Sequence, residues 1–310
     1  MAREAKRDPV TGIGVDAGAT LLKLVVDGAA VEAGAAPELR FFPTTELDRC
    51  VEAIRAAGRS RIGLTGGAAP DLAQRLGFAN QAGADAFLQV TELEAWARGA
   101  DRLLRELGQC ADDPYLLVSL GTGCSAMRVG PESATRVGGT ALGGGTILGL
   151  GAALVGTREF SELTALAAKG DRRKVDLLVG DIAGGANIPL PRELNAASFA
   201  KLACADLHAQ AESRDLAHAI MGMVGENVGI ICSGLARNAG VGRIVYGGST
   251  LRDNAPLADV LRLMALASGL DPVILPNGEF TGALGALEIA ASPAAPIPGN
   301  PEPPRQRQAG

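Results

Sequence analysis

The sequence predicts an α/β protein made of two domains built on one plan. Strand-like and helix-like segments alternate along most of the 310 residues, the pattern of layered α/β folds. The stretch "GIGVDAGATLLKLVVD" (residues 12–27) reads as strand, small-residue turn, strand. The same shape returns at "YLLVSLGTGCSAMRV" (residues 115–129). The boundary between the two units falls near Cys110 to Asp113, giving domains over residues 10–111 and 112–291.

In the first unit, Gly14 and Val15 belong to one strand and Leu21 to Val26 to the next, forming a hairpin. A short strand near "LRFFPT" follows, then a helix from Leu47 to Ala57 and a strand in "RIGLTGG". Next come a helix over Asp71 to Leu76 and a longer one from Glu92 to Leu107. The longer helix carries Leu93, Trp96, Ala100, Leu103, Leu104 and Leu107 on one stripe. The second unit opens with a strand from Tyr115 to Leu120 and resumes as a strand at "CSAMRV". Helices are expected across "EFSELTALAAKGD", "RRKVDLLVGDIAG" and Asp215 to Asn238. "RIVYGGST" reads as a strand, "PLADVLRLMALASG" as a helix, "PVILPN" as a strand and "TGALGALEIAA" as the closing helix. The first nine residues and the proline-rich stretch 292–310 lack a core-forming pattern and are expected to be disordered.

Composition narrows the function. A formal net charge of -5 gives no footprint for nucleic acid. No apolar run approaches the roughly 20 residues of a membrane helix, and the first residues lack a signal-peptide core. These features point to the cytoplasm and away from a membrane. Cys50, Cys110, Cys124, Cys204 and Cys232 are scattered and odd in number, which argues against a disulfide framework or a zinc site. His208 and His218 are the only histidines, too few to suggest a histidine-based catalytic or metal site.

Four small-residue turns follow strands: Asp16 to Thr20, Thr65 to Gly67, Gly121 to Ser125, and Gly247 to Thr250. Glycine lets backbone N–H groups approach a phosphate, and hydroxyls add donors. Together the turns suggest a nucleotide held between two domains. There is no GxxxxGK[ST] loop and no GxGxxG fingerprint with its downstream acid. A P-loop enzyme and a dinucleotide dehydrogenase are both disfavoured.

These segments resemble the type II pantothenate kinases, members of the actin-like, sugar-kinase-like ATPase superfamily. "VDAGATLLK" is similar to that family's phosphate-binding hairpin, and "ELEAWARG" to the segment that opens with its catalytic glutamate. "GTGCS" is similar to its second phosphate loop and "RVGGTALGGGTILGLGAALVG" to its glycine-rich turn and helix. "AAKGD", "VYGGSTLRDN" and "NGEFTGALGAL" extend the likeness over residues 12–290. Ala19 stands where the family has glycine, and Ser119 where it often has asparagine.

The resemblance implies two duplicated actin-like, ribonuclease H-like domains with a nucleotide cleft between them. It implies ATP-dependent phosphorylation of pantothenate, the first step toward coenzyme A, in a homodimer open to feedback by coenzyme A or acyl-CoA. Glu92 is then the general base, while Ser125 and Arg136 hold pantothenate. Asp16 holds Mg²⁺ through water. ATP is met by Asp16, Gly18, Ala19, Thr20 and Lys23, by Gly121, Thr122 and Gly123, by Gly143, Gly144 and Gly145, and by Gly247, Gly248 and Ser249.

Each residue also has a plainer reading. Glu92 suits the start of a helix electrostatically, Arg136 and Lys23 suit a solvated surface, and Gly143 to Gly145 suit tight helix packing. Trp96 reads as core. The rival functions are a sugar or N-acetylhexosamine kinase of the same superfamily, and an ATPase that regulates a partner protein. The first usually places aspartate as base. The second carries cluster-binding cysteines, a pattern the scattered cysteines do not show.

Overall fold

The computed structural model describes residues 11–27, 36–58, 60–78, 87–109, 113–131, 133–182, 191–203 and 211–292. The first nine residues, the proline-rich stretch beyond Ser292, Cys110, Cys204 and His208 lie outside the described residues.

Five strands form the first sheet: β1 (Thr11–Ala17), β2 (Leu21–Asp27), β3 (Glu38–Pro43), β4 (Ser60–Thr65) and β5 (Phe87–Gln89), in the order β3-β2-β1-β4-β5. β1, β2 and β3 form an antiparallel meander, and β4 and β5 run parallel to β1. The second sheet contains β6 (Tyr115–Leu120), β7 (Cys124–Val129) and β8 (Ala134–Thr140), again a meander. After a two-stranded pair, β9 (Leu177–Leu178) and β10 (Asn195–Ala197), it adds β11 (Arg243–Gly247) and β12 (Asp271–Ile274), parallel to β6. Its order, β12-β11-β6-β7-β8, repeats the first sheet strand for strand. The expected duplication is therefore present in order and direction.

The helices are α1 (Leu47–Ala56), α2 (Ala69–Leu76), α3 (Glu92–Glu106), α4 (Gly144–Leu150), α5 (Phe160–Ala167), α6 (Ser213–Asn238), α7 (Ala255–Ala267) and α8 (Thr281–Ala291). Thr91 caps α3 by accepting from the Glu94 N–H at 3.3 Å. The stripe of α3 buries Trp96, Ala100, Leu103 and Leu104, whereas Leu107 lies past the helix end and is exposed.

Two expectations need correction. "RRKVDLLVGDIAG" is not a helix; it is a short 3₁₀ turn over Arg172–Lys174 followed by β9. Arg172 binds Asp176 and Glu226 of α6, both at 2.7 Å, and Asp176 accepts the Phe199 N–H at 2.9 Å. These contacts between distant segments hold the stretch open. Second, α6 is a 26-residue helix long and apolar enough by composition to cross a membrane, although the sequence suggests no such run. It packs Ile220, Met221, Val224, Val228 and Cys232 into the core of the second sheet.

α8 ends the described chain, yet it lies against the first sheet. Its backbone is approached from two sides by residues without a Cβ. A Cβ on Gly14 of β1 or Gly63 of β4 would sit 2.0 Å from the Ala283 or Ala286 carbonyl oxygen. On the other side, a Cβ on Gly99 of α3 would meet Thr281 O at 1.8 Å, and one on Gly285 would meet Ala95 O at 1.7 Å. α3 and α8 are thus packed between the two sheets, with Trp96, Leu103, Leu104, Leu284 and Leu287 against Leu117, Met127 and Val245. Gly285→Ala is expected to cost about 2 kcal/mol or more, since backbone on both sides resists overpacking. A urea midpoint unchanged from the parent would show that the crossing can relax.

Candidate active site

A cavity of about 830 Å³ opens between the two sheets where β1, β4 and β6 end and α3 begins. Twelve of the sequence-predicted residues line it: Asp16, Gly18, Ala19, Thr20, Lys23, Glu92, Gly121, Thr122, Gly144, Gly145, Gly248 and Ser249. Gly123, Ser125, Arg136, Gly143 and Gly247 lie outside its lining.

The first hairpin delivers Asp16 at the end of β1, directly opposite Lys23 on β2. Lys23 Nζ donates to Asp16 Oδ2 at 3.2 Å, and Asp16 is only 4% exposed. Burial outweighs the lysine and raises the Asp16 pKa above the usual carboxylate range. Glu92 stands at the first position of α3 and reaches the same space. Glu92 is an exposed residue, but partial desolvation of its carboxyl raises its pKa, the nearby Asp16 adds to the rise, and Lys23 opposes it. Two carboxylates and one ammonium therefore share a partly desolvated corner.

This corner suits a hard divalent cation, which takes carboxylate and hydroxyl oxygens. Thr65 is paired with Asp16 across β1 and β4, and its buried hydroxyl has no hydrogen-bond partner. Asp16 and Thr65 are thus register partners on adjacent strands, although Thr65 is not among the residues lining the cavity.

The turns around the cavity are locked to one another. Gly18 N–H closes the first turn on Leu21 O at 3.1 Å, and Thr44 braces it through Ala19 O, also at 3.1 Å. Across the cleft, the Thr20 and Thr122 hydroxyls are 2.9 Å apart. Gly121 O accepts both the Thr250 hydroxyl and the Gly144 N–H at 2.8 Å, and Thr122 O accepts the Gly145 N–H at 2.9 Å. The Gly144 and Gly145 amides are therefore spent inside the protein. Their lack of side chains serves the approach of the Gly121–Gly123 loop, as a Cβ on Gly143 would lie 2.7 Å from Gly123 Cα.

Ser125 and Arg136 are brought together beside the cavity. Ser125 pairs with Ser119, a lining residue, across β6 and β7. Val137 is an extra residue in β8, because the register passes from Ala126–Gly138 to Met127–Arg136. Beside this bulge Arg136 Nε donates to Ser125 Oγ at 3.3 Å.

Sequence reasoning missed several lining residues: Arg158, Glu159 and Phe160 before and at the start of α5, Arg252, Glu279 and Trp96. Arg252 lies 4.5 Å from the centre of the Phe41 ring, a cation–π contact between the two halves. Arg252 and Glu279 fall inside the quoted segments "VYGGSTLRDN" and "NGEFTGALGAL" without being singled out, and Arg158 and Glu159 lie between the glycine-rich block and α5, which Phe160 opens. Trp96 was legible only as part of the buried stripe.

The chain is similar to known proteins over most of its length. A family model described as Fumble matches residues 12–288. The type II pantothenate kinase of Staphylococcus haemolyticus is 33% identical over 89% of this chain and 99% of its own. That of Bacillus cereus is 30% identical over 89% and 96%. Among solved structures, an activator of 2-hydroxyisocaproyl-CoA dehydratase from Clostridium difficile superposes with a TM-score of 0.58 at 17% identity, over 91% of this chain and 94% of that one. A ROK family glucokinase from Streptomyces griseus gives 0.51 at 16% identity, over 90% and 98%. These two likenesses speak for the fold alone.

Gly248 offers a direct check on the cleft. Its φ is +115°, and a Cβ there would lie 2.2 Å from Leu120 O. Gly248→Ala is expected to displace the Gly247–Thr250 turn and weaken binding of an ATP analogue at least tenfold. Calorimetry giving parental affinity would remove that turn from the nucleotide site.

Proposed function

The chain belongs to the type II pantothenate kinase family, and from that premise we propose that it phosphorylates pantothenate to 4′-phosphopantothenate with ATP, Glu92 acting as general base. The observation that carries this is the convergence of Asp16, Lys23 and Glu92 at the junction of two opposed hydroxyl-bearing turns. Phosphoryl transfer asks the protein for positioning, charge neutralisation and a base near the acceptor hydroxyl. The turn of Gly18 to Thr20 and the Gly121–Thr122 loop face each other across the space a triphosphate would fill. Lys23 brings positive charge to it.

Asp16 would hold Mg²⁺ through water, with Thr65 close by. When bound, the ion neutralises phosphate charge. Glu92 would take the proton of the acceptor hydroxyl, and its raised pKa makes it a stronger base than an ordinary glutamate. Arg136 is exposed and fork-shaped, which suits the pantothenate carboxylate. Ser125, its partner, would offer a further hydrogen bond.

The same reading includes a cytoplasmic homodimer subject to feedback by coenzyme A or acyl-CoA. Ile230 of α6 and Leu263 and Leu266 of α7 are exposed large apolar side chains, which supports a surface for a second copy. The two domains are assigned to residues 10–111 and 112–291, with α8 returning to the first sheet.

Glu92→Gln should keep ATP and pantothenate binding and lower kcat by about 10²- to 10⁴-fold. Near-parental turnover would place the base elsewhere. In the parent, kcat/KM should rise with pH on an acidic limb lying above the ordinary glutamate value of about 4.3, because the base works only when ionised. Arg136→Ala should raise KM for pantothenate at least tenfold and leave KM for ATP within about twofold, since a charged hydrogen bond contributes about 1.5–3 kcal/mol. Equal effects on both substrates would remove Arg136 from the carboxylate site.

A further inference from the structure

Trp96 is the one tryptophan of the chain and stands four residues after Glu92 on α3. That spacing puts the two side chains on one helix face. Trp96 is 4% exposed, yet it lines the same cavity as Asp16 and Glu92. Its ring fits a slot left by two glycines. A Cβ on Gly247 would lie 3.3 Å from Trp96 Cζ3. A Cβ on Gly282 would lie 2.9 Å from both Trp96 Nε1 and Asp16 Oδ2. The indole nitrogen and the Asp16 carboxylate therefore border one small space on the floor of the cleft.

Indole Nε1–H is a donor only. Among the described residues no protein group accepts from Trp96 Nε1, and the atom is not sealed off from the cavity that Trp96 lines. A ring kept only for packing could carry any apolar edge at this point. Here the polar edge faces the corner where the base and the metal-binding carboxylate meet.

We infer that Trp96 is a substrate-contacting residue of the reaction centre, its indole N–H donating to an oxygen of the phosphoryl group in transfer. This rests on the kinase reading of the cleft. In that step the bond between the γ-phosphorus and the β,γ-bridging oxygen breaks, and its electron pair leaves with ADP. A bond from the acceptor oxygen to phosphorus forms, and the acceptor proton passes to Glu92. The indole keeps its own proton throughout and serves as a fixed dipole.

The test is Trp96→Phe, which keeps most of the ring and removes the donor. Expected is a fall in kcat of about 10- to 100-fold, the loss that follows removal of one hydrogen bond to a charged group. KM for ATP and for pantothenate should stay within about threefold and the melting temperature nearly unchanged. Parental kcat in Trp96→Phe would overturn the inference. Should that variant unfold, the fluorescence of Trp96 in the parent protein decides. Its emission should shift on saturation with Mg²⁺ and a non-hydrolysable ATP analogue, and an unchanged spectrum would overturn the contact. If Glu92→Gln turns over like the parent while Trp96→Phe is slow, the base assignment fails and the indole contact stands. If the parent transfers no phosphate to pantothenate, the functional reading fails, and the titration with the analogue alone still decides the contact.

Discussion

The close seating of α8 between the first sheet and α3 is the constraint on which the rest of the molecule depends. Four glycines make it possible: Gly14, Gly63, Gly99 and Gly285, each facing a backbone carbonyl of the neighbouring element at a distance that no Cβ permits. The consequence is positional. β1 and β4 end, and α3 and α8 begin, at one level of the molecule. Asp16, Thr65, Glu92 and Gly282 therefore meet at the cleft although they are spread over most of the sequence. Protein interiors tolerate little slack, so a shift of α8 would be carried to all four. Among the described residues the arrangement also links the last helix to the first strand.

Electrostatics gives the same corner its chemical character. Asp16, buried, and Glu92, exposed but partly desolvated, both have raised pKa values, and Asp16 adds to the rise at Glu92. A carboxyl whose folded pKa is raised stabilises the fold at low pH, and that stability is lost as pH rises through the folded value. Ionising either carboxyl works against this desolvation, and Lys23 offsets that in part. Positive charge brought in with the nucleotide would relieve it further.

Much of this was legible in the sequence because it is local. Strand, turn and strand recur at short range, and the glycine-rich turns announce themselves by composition. The helix expected from Glu92 does begin there, and the expected first hairpin brings Asp16 opposite Lys23. What was not legible depends on partners far away in the chain. Arg172 and Asp176 would pass as ordinary helix residues, but Glu226 and Phe199 hold their segment open. β5, three residues long, is too short for any alternation to show. Gly144 and Gly145 looked ready for an anion because a helix begins there, and only the folded chain shows their amides turned to Gly121 and Thr122. Trp96 has the spacing of a core residue, and the glycines that turn its polar edge to the cleft lie more than a hundred residues on.

The two halves of the cleft differ in how firmly they are held. The Gly121–Gly123 loop is tied to α4 and to Thr250, with Gly121 O accepting two hydrogen bonds. The turn of Gly18 to Thr20 is braced within its own domain by Thr44. Between the two turns runs one exposed bond, Thr20 to Thr122. Such a bond contributes about 0.5–1.5 kcal/mol net, far less than the charged hydrogen bonds that a triphosphate could offer to both hydroxyls. The hydroxyls that now satisfy each other are therefore the groups most easily redirected to a phosphate. A rigid second loop and a lightly tethered first turn let the cleft exchange that single bond for ligand contacts without disturbing the seating of α8 beneath it.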